Sequence, residues 1–196
     1  MKLAQSFFLR GNVATIAKQL LGKILTTRIS DQITSGLIIE TEAYSYKERG
    51  CHAYKGMTKR NEVMFDAGGV AYIYLCYGVH EMFNVVTNQK GKADAVLVRA
   101  LEPLAGIEAM RERTKTHSEK KIASGPGKLT KAMGIDRRWN GKELDSEEIW
   151  IDDRTIKIKT KDIISSPRIG IDYAGEDAKL PWRFTINNIH DYKFKT

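Results

Sequence analysis

Between Ala71 and Val86 the chain reads AYIYLCYGVHEMFNVV, two runs rich in aromatic and β-branched residues broken at a glycine. That is the writing of two antiparallel strands joined by a tight turn. The same style returns in GKILTTRI, SGLIIETEAY, AVLVRAL, EIWIDD, TIKIKT and PWRFTIN. Helical spacing is confined to shorter pieces. Residues 12–22 predict a helix capped by Asn12 and stopped by Gly22, with Val13, Ala17, Leu20 and Leu21 on one face. LAGIEAMRERT and GKLTKAMGI, the latter stopped by Gly134, predict two more. A polar turn over Asp31–Ser35 separates the first two strands, and the strand over 95–101 ends at Pro103. Residues 45–69 and 114–125 read as loops. The expected fold is therefore α+β: one domain over 1–196, mainly antiparallel sheet, flanking helices and a protruding hairpin.

A chain of 196 residues is long enough to bury a core without staples. Its two cysteines, Cys51 and Cys76, form no disulfide framework. No run approaches the roughly 20 apolar residues of a membrane span. Both features predict an intracellular protein with no membrane partner. The net charge of +8 is unevenly placed. Residues 111–142 hold ten Lys/Arg against three Asp/Glu, and the rest of the chain is nearly neutral. A concentrated basic segment favours a polyanion, because each neutralised phosphate releases condensed counterions.

The hairpin carries an oddity at its tip. Tyr77 directly precedes Gly78, where small polar residues are usual. A two-residue loop, Gly78–Val79, pairs Tyr74 with Phe83. A three-residue loop, Gly78–His80, sets Tyr74 opposite Asn84 and turns both to one side. Turn preference favours the shorter loop, since glycine in first place suits a type II′ turn.

Few groups offer chemistry. In IIETEAY, Glu40, Glu42 and Tyr44 share one face of an extended strand, and paired carboxylates there can supply a general base. Arg99 lies on an apolar strand, where a buried arginine wants a carboxylate, and Glu42 is available. The four histidines are scattered, with no CxxC, HxxH or HExxH spacing, so no metal site is expected. There is no G-x-S-x-G elbow. SGPGKLT misses the P-loop spacing, but it leads into a helix, so Ser124, Gly125 and Lys128 with free backbone N–H groups can hold one backbone phosphate.

Taken in order, ETEAY, YIYLCYGVHEMFN, VLVRALEP, SGPGKLTKAMGI, PRIGI and PWRF resemble the alkyladenine (3-methyladenine) DNA glycosylase family across nearly the whole chain. The resemblance implies a monofunctional base-excision repair enzyme that acts on damaged purines in double-stranded DNA and needs no cofactor. By similarity Glu42 is the general base and Arg99 helps to hold it. Tyr44, His52 and Tyr74 sandwich the extruded base, Asn84 crowds a guanine 2-amino group, and Tyr77 fills the gap in the duplex. Asn84 can do so only beside Tyr74, so the three-residue loop is expected over the one that turn preference favours. No lysine falls at a matched catalytic position, so no Schiff-base lyase step is expected. A monomer is expected, because wedge and basic face must meet DNA unobstructed.

Two rivals differ in class. A non-catalytic nucleic-acid-binding module would stack bases on its tyrosines and leave Glu42 dispensable. A nuclease would use Glu40 and Glu42 to hold magnesium, but both sit on one strand with no third acidic ligand apparent.

Overall fold

The computed structural model describes residues 1–154, 156–189 and 192. Among them the elements run α1 (Gln5–Phe8), α2 (Val13–Leu20), β1 (Ile24–Ile29), β2 (Gln32–Tyr44), β3 (Ala71–Cys76), β4 (His80–Thr87), β5 (Asp94–Ala105), α3 (Ile107–Thr114), α4 (Glu119–Ile122), α5 (Pro126–Met133), β6 (Ile149–Asp152), β7 (Ile163–Ser166) and β8 (Arg183–Ile186). Short 3-10 segments, among them Glu62–Phe65 and Asp172–Lys179, fill the longer connections. The strands form an antiparallel sheet in the order β3-β4-β5-β2-β1-β6, with β8 pairing both β2 and β7. The expected α+β class holds.

β2 is the spine. Along one edge it pairs β5 from Ser35 to Tyr44. Along the other it pairs β1 up to Leu37, then β8 from Glu40 to Glu42. The β2–β5 register carries three irregularities, one between Ser35 and Gly36 and two that offset each other near Glu40. Pairing steps from Ile38↔Leu101 to Glu40↔Ala100, passing over Ile39, and then to Thr41↔Val98, passing over Arg99. Such bulges re-aim side chains, and they recur beside active sites. The two faces of β2 then diverge in chemistry. Thr41 turns to α2 and donates to the Ala17 carbonyl at 2.9 Å, while Glu40 and Glu42 turn to Arg99.

Asn12 caps α2 as expected, its side chain accepting from the Thr15 N–H. The buried face is Val13, Ile16, Ala17 and Leu20. With α5 and the sheet's apolar side chains this helix forms the main core. A smaller cluster around Cys51, Met64, Tyr72 and Val86 lies at the β3–β4 end of the sheet.

Several boundaries differ from the sequence expectation. The first turn is Ser30–Asp31, both at positive φ, and Gln32–Ser35 already belongs to β2. Those residues look like a turn because they are polar, but Thr27 and Thr34 bury their hydroxyls against each other at 2.6 Å. β5 continues through Pro103 to Ala105. Beyond the Ala100–Ser124 bridge its far side is an edge, where a proline's missing N–H is tolerated. The loop over 114–125 contains α4, pinned by the buried Ile122. Of TIKIKT, residues 156–159 form no strand and Ile158 packs on the core instead, while Thr155 lies outside the described residues.

Candidate active site

The β3–β4 hairpin settles its own register. Cys76 pairs His80, Tyr74 pairs Met82 and Tyr72 pairs Asn84. The loop is three residues long, but it is Tyr77–Val79 rather than Gly78–His80, and Tyr74 does not stand opposite Asn84. Tyr77 and Gly78 both take positive φ, 50° and 71°, and the Val79 N–H donates to the Cys76 carbonyl at 3.1 Å. Both residues are therefore in the left-handed region, as in the primed turns of tight hairpins. Glycine takes the second position freely, whereas tyrosine in the first costs on the order of 1 kcal/mol. The shift of two positions in pairing leaves side-chain parity unchanged, so Tyr74 and Asn84 still face the same cavity.

That cavity holds about 500 Å³ between the hairpin, the end of β2, β5 and the segment 169–173. Tyr44, His52, Tyr74, Asn84 and Arg99 all line it. Glu42, with 0% exposure, lies behind this lining and touches it through Tyr44, Arg99 and Ile169. The Glu42 carboxylate is held from three sides. Oε2 accepts from the Tyr44 hydroxyl at 2.8 Å and lies 3.2 Å from Arg99 Nη1. Oε1 accepts from the Ile169 N–H at 2.9 Å. A carboxylate offers about four lone-pair positions, so one acceptor position remains for a water. Arg99 is fixed in turn by Glu40, whose Oε1 takes its Nε at 3.0 Å and Arg183 Nε at 2.6 Å. The arginine therefore serves both glutamates, not Glu42 alone.

The aromatic groups divide unequally. The His52 and Tyr74 ring centroids are 4.5 Å apart at 69°, too close for a base to enter between them. They form a single wall, and Tyr44 lines the cavity apart from that pair. His52 Nδ1 lies 3.0 Å from the Tyr72 hydroxyl. Burial, helped by the Arg60 charge, pushes the imidazole down to about 4, so it is neutral near pH 7. Burial also drives the Tyr44 and Tyr74 phenols far above their ordinary range, with the Glu42 charge adding to the effect at Tyr44. Neither ionises under physiological conditions. Asn84 is buried, its amide donating to the Tyr72 and Met82 carbonyls at 3.1 and 3.3 Å, so it projects rigidly.

Tyr77 lines the cavity at its exposed rim, 90% exposed, with Val79 beside it at 72%. Ser124 and Gly125 lead into α5, whose first residue, Pro126, lines the cavity. Lys128 is exposed on the same turn. Tyr77, the basic turn and the residues that hold Glu42 are thus neighbours of one opening. Sequence reasoning passed over Arg60, Tyr72, Tyr173 and the Ile169 N–H, all at this cavity or its carboxylate. A backbone donor leaves no mark in residue type, although PRIGI, which holds Ile169, stood out as a block.

Among the described residues no cluster of three or more His, Cys, Asp or Glu side chains is arranged to hold a metal ion. None of their helices is long and apolar enough to cross a membrane.

Comparison with known proteins gives a consistent answer. The family model described as methylpurine-DNA glycosylase matches residues 6–190. A candidate 3-methyladenine DNA glycosylase of Chlamydia felis is 44% identical, covering 94% of this chain and 96% of its own. One from Carboxydothermus hydrogenoformans is 44% identical over 96% of each. One from Methanocella arvoryzae is 47% identical over 88% of this chain and 86% of its own.

Proposed function

The chain belongs to the methylpurine-DNA glycosylase family, and from that premise we propose that it excises damaged purines from duplex DNA by hydrolysing the N-glycosidic bond. The substrates proposed are 3-methyladenine, 7-methylguanine, hypoxanthine and ethenoadenine, with an abasic site left behind. The observation that carries this reading is a fully buried carboxylate held by Tyr44 and Arg99, two residues that line an aromatic cavity large enough for a purine.

A stacked base keeps its sugar carbon out of reach, so the nucleotide must leave the helix. Tyr77 enters the duplex in its place, and its ring offsets part of an unstacking cost of a few kcal/mol. The extruded base stacks on Tyr44 and against the His52–Tyr74 wall. Ser124, Gly125 and Lys128 take a flanking phosphate at the start of α5. Glu42 then orients a water through its remaining acceptor position. The water oxygen bonds to C1′ as the C1′–N bond breaks, and the water proton passes to Glu42. The bond's electron pair leaves with the base. In 3-methyladenine and 7-methylguanine that pair neutralises a positive ring, so the lesion is a good leaving group before the protein acts. The neutral hypoxanthine and ethenoadenine leave with the same pair and take up a proton from water. Asn84, held by two carbonyls, crowds a guanine 2-amino group. The protein acts as a monomer on this reading.

Duplex oligonucleotides carrying one lesion each, incubated in parallel with EDTA and with magnesium, test it. Release of free purine, with strands intact until hot alkali, is expected. Tight binding without release would favour the non-catalytic module, and phosphodiester products lost in EDTA would favour the nuclease.

A further inference from the structure

Arg168 has a role that none of the cavity-lining residues performs. It sits in the irregular stretch that follows β7, and its side chain has 0% exposure. Nη1 donates to Glu48 Oε1 at 2.6 Å and to the Ala43 carbonyl at 2.8 Å. Nη2 donates to Glu48 Oε2 at 2.8 Å and to the Asp177 carbonyl at 3.0 Å. The guanidinium carbon also lies 4.7 Å from the Tyr44 ring centroid and 5.4 Å from that of Trp182. Tyr44 lines the cavity and Arg168 does not, so the guanidinium packs on the ring without itself entering the lining. The next residue along the chain, Ile169, gives its N–H to Glu42.

A buried ion pair is weak evidence for stability, because desolvation offsets most of the attraction. Its geometry is better explained by what it orients. Resting on the reading of Glu42 as the base, we propose that Arg168, clamped by Glu48, is a positioning residue for that carboxylate. One side chain immobilises two of the three groups that hold Glu42. It packs on the Tyr44 ring, and it anchors the segment that presents the Ile169 N–H. Its contact with the Ala43 carbonyl ties both to the strand residue between Glu42 and Tyr44. The planar fork of arginine suits this work, since a lysine ammonium cannot meet Glu48 bidentately and two carbonyls together.

The test uses single-turnover excision of 7-methylguanine from a defined duplex by wild type, Arg168→Lys, Glu48→Gln and Glu42→Gln. Three quantities are read: the reaction amplitude, the rate constant at saturation and the half-saturating enzyme concentration. Loss of folded protein lowers amplitude, whereas misplacement of the base lowers the rate constant. Both Arg168→Lys and Glu48→Gln are expected to lose about 10²-fold in rate constant, as misplacement by an ångström does. Half-saturation should stay within about twofold and amplitude near full. If Arg168→Lys does not fold, Glu48→Gln, with the same volume and one acceptor kept, decides alone. Rate constants close to wild type, whatever the amplitude, would overturn the proposal in favour of a purely structural pair, as would failure of both variants to fold. An inactive wild type would instead remove the glycosylase reading itself. An active wild type with an inactive Glu42→Gln and fast Arg168 and Glu48 variants would remove only this inference.

Discussion

Arg99 Nη1 and Glu42 Oε2 lie 3.2 Å apart on adjacent strands whose pairing passes over Arg99. The bulge sets the guanidinium against both glutamates of ETEAY, with Glu40 holding its Nε. Arg99→Lys keeps the charge but gives up the fork. One ammonium cannot match both contacts, so excision should slow by about 10- to 100-fold with DNA binding nearly unchanged. Single-turnover rates beside equilibrium binding will check this.

His52 predicts a pH dependence of stability. Its folded-state value of about 4 lies below that of a free imidazole, near 6.5, because burial disfavours the cation. The unfolded chain therefore binds the proton at a higher pH than the folded one. The contribution of His52 is present in full above about pH 6.5 and is lost as pH falls toward about 4. Thermal unfolding across that window should fall less steeply for His52→Gln than for wild type.

A glycine contact couples the hairpin to the basic turn. A Cβ on Gly127 would meet the His80 ring at 2.9 Å, and the Thr130 hydroxyl donates to the Glu81 carbonyl at 2.9 Å. Gly127→Ala is expected to push the hairpin away from α5 and to weaken lesion-specific DNA binding by about tenfold, a coupling of the usual size for contacting residues. Adding His80→Ala should recover most of that loss. A double-mutant cycle on lesion-containing and undamaged duplex measures it.

Tyr77 touches solvent rather than core, so its removal should leave the fold alone. Tyr77→Ala is expected to shift the melting temperature little, since surface changes stay within about 0.5 kcal/mol. Base extrusion, read from a fluorescent purine beside the lesion, should fall by about 10-fold or more, because the gap left by the flipped nucleotide is no longer filled.

Much of this was legible in the chain. The strand alternation around Glu42 and Tyr44 was readable because period 2 places every second residue on one face, and Asn12 and Gly134 marked helix ends by their chemistry. The hairpin's loop length was recoverable only from the demand that Tyr74 and Asn84 share a side. Its register was not, since nothing in residue type says that a tyrosine will accept positive φ. Gln32–Ser35 misled because buried threonine pairs look like turn residues. His52 and Tyr74 read as two slices of a sandwich and are one wall, a relation across 22 positions that only packing sets. The bulge at Arg99 and the Ile169 N–H were invisible for a similar reason: both are properties of the backbone.

The central claim is that Glu42 performs the chemistry in a site that otherwise binds and extrudes the lesion without it. Glu42→Gln preserves shape while removing the charge and the proton acceptor. The most direct measurement is single-turnover release of purine from a lesion duplex by this variant, with binding to the same duplex measured in parallel. The account predicts release slowed by about 10²-fold or more, the range of a lost general base, with binding retained. Release at the wild-type rate with binding intact would contradict it and place the catalytic group elsewhere.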